Sequence, residues 1–135
     1  MGQFTVRVTV ANPAEPGRRV EVELLVDAGG TLTWVSSDLL QQIGAPPLPR
    51  RSFVLADGRR VERGTAAAVV KLDGVEASVT VVAAEPGDAQ LLGATALESL
   101  GFIADPEGRP FAARAAGHVG PKSRVSRLGW RLVLP

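Results

Sequence analysis

Leu25-Val26-Asp27-Ala28-Gly29-Gly30-Thr31 ends an apolar run on one carboxylate and follows it with two glycines. The run before it, Val20, Val22, Leu24 and Val26 alternating with Glu21, Glu23 and Leu25, has the period of a β-strand. It becomes apolar on both faces near Asp27, which predicts a buried end. Glycine lets the backbone turn tightly and bring amide N–H groups close to the carboxylate. Alone, Asp-x-Gly is a turn signal. This one stands out by its neighbours: a strand before it, a capped helix after it, and a second apolar-apolar-Gly unit, Leu91-Leu92-Gly93, entering another helix downstream.

Working outward, Phe4, Val6, Val8 and Val10 alternate with polar residues, so 4–10 and 20–26 form a hairpin across the turn cluster Asn12–Gly17. Thr31–Val35 is a short β-rich piece. Ser36 or Ser37 caps a helix over Asp38–Ile43 that Gly44 ends, which suits these serines better than a nucleophile's role. Ala45–Pro49 reads as a rigid connector. Ser52–Ala56 and Arg60–Glu62 flank Asp57-Gly58, a two-residue hairpin signal, and Ala66–Leu72 and Val75–Ala84 flank Asp73-Gly74. Glu85–Asp88 is a turn, Thr95–Leu100 a second short helix closed by Gly101, and Phe102–Ala104 a short strand. The fold class is mostly β: a closed or half-closed barrel with two short helices.

Composition removes several chemistries. The 135 residues contain no cysteine and one histidine, which excludes a disulfide scaffold, a thiol nucleophile, a Cys-ligated metal and a His-rich metal site. His118 lies between glycines in a loop and reads as solvated. No apolar run reaches membrane-span length, Met1-Gly2-Gln3-Phe4 lacks a secretory n-region, and Gly2 is followed by no Ser/Thr of a myristoylation signal, so a soluble cytoplasmic protein is expected. The net charge of +1 hides a split. Residues 1–113 sum to −4, whereas 114–135, with Arg114, Lys122, Arg124, Arg127 and Arg131 and no acid, sum to +5. That tail lacks a dense Lys/Arg run and has Trp130 as its one stacking aromatic. It therefore reads as lying on an acidic body or a partner copy rather than on nucleic acid.

Across residues 3–113 the order of these pieces resembles the retropepsin-like aspartic proteases, in particular their small prokaryotic members. Leu25-Val26-Asp27-x-Gly29-x-Thr31 is similar to the catalytic loop, Asp38–Gly44 to the following helix, Phe53–Glu62 to the hairpin used as a flap, and Leu91–Gly101 to the segment and helix beneath the active loop. The resemblance implies a protease domain over 1–113 and a basic C-terminal tail over 114–135 with a candidate terminal strand at 129–134. It implies Asp27 as catalytic residue and Ala28, Gly29, Gly30 and Thr31 as active-site loop. Leu32, Trp34, Leu55, Asp57, Gly58 and Arg59 become flap and substrate-binding residues, with Leu91, Leu92 and Gly93 as support for the loop. For Leu32 and Trp34 ordinary core packing is the competing reading.

Aspartic proteolysis uses two carboxylates that share one proton, and this chain has one Asp-x-Gly of the required kind. The resemblance therefore implies a homodimer, one lobe per chain, with Asp27 of each copy at a two-fold axis, termini 3–10 and 129–134 as candidate interface strands, a peptide or protein substrate, and no cofactor or metal. One position departs from the pattern. Where the family carries Thr or Ser with a hydroxyl that bonds across the dimer, this chain has Ala28. A weaker protease, a catalytically inactive dimeric peptide-binding module and an alanine introduced to silence the enzyme all remain open. A nucleic-acid-associated barrel using the basic tail is the third class.

Overall fold

The computed structural model describes residues 5–27, 29–104, 110–113, 122–125 and 131–134. The readings made for Ala28, Gly2, His118 and Trp130 lie outside them. Strands β1 (Thr5–Ala11) and β2 (Arg19–Val26) form the expected hairpin in register Thr5↔Leu25 through Ala11↔Arg19. Alternation decides which side chains turn inward: Val6, Val8 and Val10 from β1 and Val22 and Leu24 from β2 are buried, while Thr5, Arg7, Glu21 and Glu23 face out. Leu25 and Val26 are only half-buried. The end of β2 that the sequence marks as buried on both faces is therefore partly open in one chain.

After the Asp27 loop come β3 (Thr33–Ser36), α1 (Ser37–Gln42), β4 (Pro47–Val54), β5 (Arg60–Leu72), β6 (Val75–Ala84), β7 (Leu91–Leu92) and α2 (Ala94–Ser99). The sheet order is β1-β2-β7-β3-β6-β5-β4, and β1 also pairs with β5 through Thr9↔Lys71 to Ala11↔Val69. That extra pairing closes six strands into a ring and leaves β4 hanging on β5 as an edge. Inside the ring sit Val35, Val70, Val81, Leu92, Leu97 and Phe102. The chain is thus a mostly β half-barrel with two short helices, the expected fold class.

The structure revises several local expectations. Pro46–Pro49 is not merely a connector: Pro47 already pairs with Ala66, and Leu48 with Thr65. Prolines are tolerated here because β4 is an edge strand. The two pieces read at 60–62 and 66–72 are one 13-residue strand: Arg63 pairs with Arg51 and Thr65 with Leu48, and the strand runs on through Gly64 across an irregularity in the register. At Asp57-Gly58 the turn is longer than two residues. Leu55 and Arg59 bond across it (2.8 Å), and Ala56-Asp57-Gly58 form the turn with Gly58 at φ 88°. Asp73-Gly74 is the two-residue turn expected, both residues at positive φ. Ser36 occupies the cap position of α1 without a side-chain bond to the helix. The other end of α1 closes as read: the Gly44 N–H bonds the Gln41 carbonyl and the Ala45 N–H that of Leu40, with Gly44 at φ 67°.

A second sheet, order β10-β11-β9-β8, combines β8 (Phe102–Ala104) and β9 (Pro110–Ala113) with β10 (Lys122–Val125) and β11 (Arg131–Leu134). Strands β9 and β11 run parallel. Among the described residues no helix is long and apolar enough to cross a membrane.

Candidate active site

Strand β2 delivers Asp27, and β7, lying parallel beside β2, fixes where it stops. Leu25 pairs with Leu91 and Val26 with Leu92, and the Asp27 N–H donates to the Leu92 carbonyl (3.0 Å). The chain then folds back on itself. The Gly30 N–H donates to the Asp27 carbonyl (3.1 Å), and the Gly29 N–H donates to the Asp27 carboxylate Oδ1 (3.1 Å). The two glycines are close to the acid: a Cβ at Gly30 would lie 3.2 Å from Oδ2 and one at Gly29 3.4 Å from Oδ1. Small residues therefore leave the carboxylate uncovered on that side.

Helix α2 supports the loop by its own unmet need. The first turn of a helix has amide N–H groups without partners inside the helix. Here the Ala94 N–H donates to the Gly30 carbonyl (2.7 Å) and the Thr95 N–H to the Thr31 carbonyl (3.0 Å). The cap residue, Gly93, donates its N–H to the hydroxyl of buried Thr33 (3.0 Å). Contact is so close that a Cβ at Gly93 would collide with the Leu32 carbonyl and lie 2.9 Å from the Gly30 oxygen. Glycine is required here by space.

Asp27, Gly29 and Gly30 form one side of a cleft of about 370 Å³. Trp34 and Leu91 form the second, and Val54, Leu55 and Ala56, from the β4–β5 hairpin, the third. Trp34 meets Phe53 edge to face, centroids 5.3 Å apart at 62°, which ties the hairpin to the wall through two half-buried rings. A larger open depression of about 800 Å³ lies at the opposite end of β2, among Arg7, Arg19, Glu21, Lys71 and Asp73. It is polar, and its one Asp, Asp73, belongs to the Asp73-Gly74 hairpin turn rather than to an Asp-x-Gly loop, so size does not select the site.

The cleft also contains a second carboxylate. Asp88, on the β6–β7 loop, receives two parallel bonds from Arg63 of β5: Nε to Oδ2 at 2.7 Å and Nη2 to Oδ1 at 3.0 Å. Its Oδ2 also accepts the Glu85 N–H (2.8 Å), and Glu85 lies 3.6 Å from Arg63. Both side chains of the pair are largely buried. The Arg63 bonds, with help from the Glu85 amide, hold the Asp88 carboxyl below the usual carboxylate range, and Arg63 is held protonated in return.

A family description, aspartyl protease, matches residues 6–96, from β1 into α2 and across every residue of the cleft. The chain belongs to this retropepsin-like aspartyl protease family. No curated protein matches it. Of the residues singled out in the aspartyl protease reading, the structure brings Asp27, Gly29, Gly30, Trp34, Leu55 and Leu91 to one cleft. Leu92 and Gly93 are buried beneath the loop, and Thr31 is exposed. Leu32 is half-buried and does not line the cleft. Asp57, Gly58 and Arg59 sit at the exposed hairpin tip, where the Arg59 backbone N–H, followed by its side chain (Nε to Oδ2, 2.8 Å), lowers the Asp57 carboxyl. Sequence reasoning missed Phe53, Thr33 and the Arg63–Asp88 pair. The pair spans 25 positions, and Asp88 carried the ordinary signature of a turn residue. Among the described residues no group of three or more His, Asp or Glu is gathered to hold a metal.

Proposed function

We propose that this chain is one half of a homodimeric aspartic endopeptidase. The observation that carries the reading is an acid pair that one chain cannot complete. One carboxylate in an Asp-x-Gly loop, Asp27, faces the cleft, and the cleft's other carboxylate, Asp88, has both oxygens bonded by Arg63. Acid-pair hydrolysis needs one ionised and one protonated carboxyl within a few ångströms. Asp88, held ionised, cannot be the proton-bearing member, so the second acid comes from Asp27 of another copy.

In that dimer the ionised Asp27 takes a proton from a water, whose oxygen attacks the carbonyl carbon of a peptide bond. The protonated partner donates to the carbonyl oxygen, and the nitrogen leaves with a proton returned from the pair. The Gly29 N–H on Oδ1 fixes the carboxylate plane. An extended substrate lies between the loop and the β4–β5 flap as an added strand, with apolar side chains against Trp34, Leu55 and Leu91. The proposed setting is the cytoplasm, to whose reducing conditions a cysteine-free chain is indifferent.

Cleavage of an unfolded protein from acidic to neutral pH tests this, with Asp27→Asn expected to abolish it. Adding excess Asp27→Asn chains to a fixed amount of native chain should also depress cleavage, because mixed dimers have one acid. Undiminished cleavage in that mixture would overturn the shared site. Ala28, which offers no hydroxyl across a dimer axis, favours a second reading in which peptide is bound without turnover; bound but uncut peptide across the same pH range would establish it.

A further inference from the structure

Half of the basic residues in 1–113 fall in the 18 positions of the β4–β5 hairpin, 47–64: Arg50, Arg51, Arg59, Arg60 and Arg63, against Asp57 and Glu62. Three have acidic partners: Arg50 lies 3.9 Å from Glu62, Arg59 2.8 Å from Asp57, and Arg63 bonds Asp88. Among the described residues Arg51 and Arg60 have none. The ladder separates these two. Arg51 pairs with Arg63 and Phe53 with Val61, while Val54 pairs with Arg60 and Ser52 with Glu62. Side chains alternate, so Arg51, Phe53, Val61 and Arg63 share one face and Arg60 the other. Phe53 touches Trp34 and Arg63 touches Asp88, so the Arg51 face is turned to those two cleft residues, while Val54, from the Arg60 face, lines the cleft at the end of β4. Arg51 itself is exposed, with its guanidinium 6.0 Å from the Phe53 ring centre. Like charges directly opposite one another in a ladder are unfavourable. Asp88 answers Arg63 and leaves Arg51 as the uncompensated charge of this inner face.

We propose that Arg51 is a specificity-determining residue that receives a carboxylate side chain of the peptide substrate, so that the protein acts on acidic segments. This rests on the endopeptidase reading of the cleft. Arg51 on β4 is four positions from Leu55, the residue just after that strand, roughly 13 Å at strand rise. The acid therefore belongs about four residues from the substrate side chain that fills the cleft. The fork of a guanidinium matches a carboxylate in two bonds, and Phe53 beneath it holds its plane.

The test uses paired internally quenched peptides that differ only by Asp versus Asn at that position, cut by the full chain at low salt. The Asp peptide should have a kcat/KM about five- to tenfold higher, mostly through KM. That ratio should vanish in Arg51→Ala, survive in Arg51→Lys, invert in Arg51→Glu and be unchanged in Arg60→Glu on the outer face. Equal rates for both peptides, or loss of the ratio in Arg60→Glu as well, would overturn the assignment while the endopeptidase reading stands. If neither peptide is cut, the endopeptidase reading fails. The same pairs with a fluorescent label then decide the Arg51 contact by anisotropy, where equal affinity overturns it.

Discussion

Asp27 and Asp88 border the same cleft, and their neighbours assign them different chemistry. Asp27 accepts one backbone N–H and is otherwise open beside glycines, whereas Asp88 is saturated by Arg63 and the Glu85 amide. Because the folded protein lowers the Asp88 carboxyl, its contribution to stability is complete above the usual carboxylate range. That contribution disappears as pH falls through the lowered value. Asp88→Asn strands a largely buried guanidinium and should lower the melting temperature by about 3–8 °C near neutrality. The gap to the native chain should shrink toward strongly acidic pH. Thermal melts of both proteins at several pH values check this, and a pH-independent gap would exclude the ion pair as its source. Position 28 makes a separate prediction. A hydroxyl bond across the axis contributes about 0.5–1.5 kcal/mol, and two-fold symmetry counts it twice. Ala28→Thr should therefore tighten the dimer about tenfold in sedimentation equilibrium, and an unchanged dimer constant would remove the hydroxyl argument.

Elements are joined by bonds that run far along the chain. The β1–β2 loop holds the end of α1 through Asn12, a buried amide whose Nδ2 donates to the Ile43 (3.0 Å) and Gly44 (2.9 Å) carbonyls and whose Oδ1 accepts the Ala14 and Glu15 N–H groups. Arg18 adds a bond to the Gln42 carbonyl (3.1 Å). Asn12→Ala leaves helix-end carbonyls and two loop amides without partners, so a loss of about 2 kcal/mol is expected in urea unfolding. Asn12→Asp keeps the acceptor but loses both donors and should recover only part of it. What the sequence showed and hid follows the same division. Strand alternation at Val6–Val10, the Asp73-Gly74 turn and the glycine closures of α1 and α2 are local, and each was legible. Asn12 was legible as a turn residue, but not its reach across 31 positions to Ile43. Pro47 and Pro49 concealed the start of β4, because edge position, which excuses a proline, is a tertiary property. Trp34 was singled out, yet its partner Phe53 was decided by the hairpin's fold over the cleft.

At the scale of the whole molecule, the six-stranded ring is closed but its Asp27 end is not. Val22 and Leu24 are buried, whereas Leu25 and Val26, next to Asp27 on the same strand, are half-buried in a stretch with no polar residue. Among the described residues nothing finishes covering that end, and under the proposed function a second copy does so, bringing its own Asp27. Assembly and chemistry are then one equilibrium. Below the dimer constant the concentration of paired chains falls with the square of total protein, and above it the relation becomes linear. The cleavage rate against protein concentration should therefore bend from quadratic to linear. The bend should lie at the concentration where sedimentation detects half dimer, and Ala28→Thr should move both to lower concentration together. A rate proportional to protein at every dilution, with a monomer in the centrifuge, would instead require both acids within one chain. Among the described residues the Arg63–Asp88 bonds leave no second one free in the cleft.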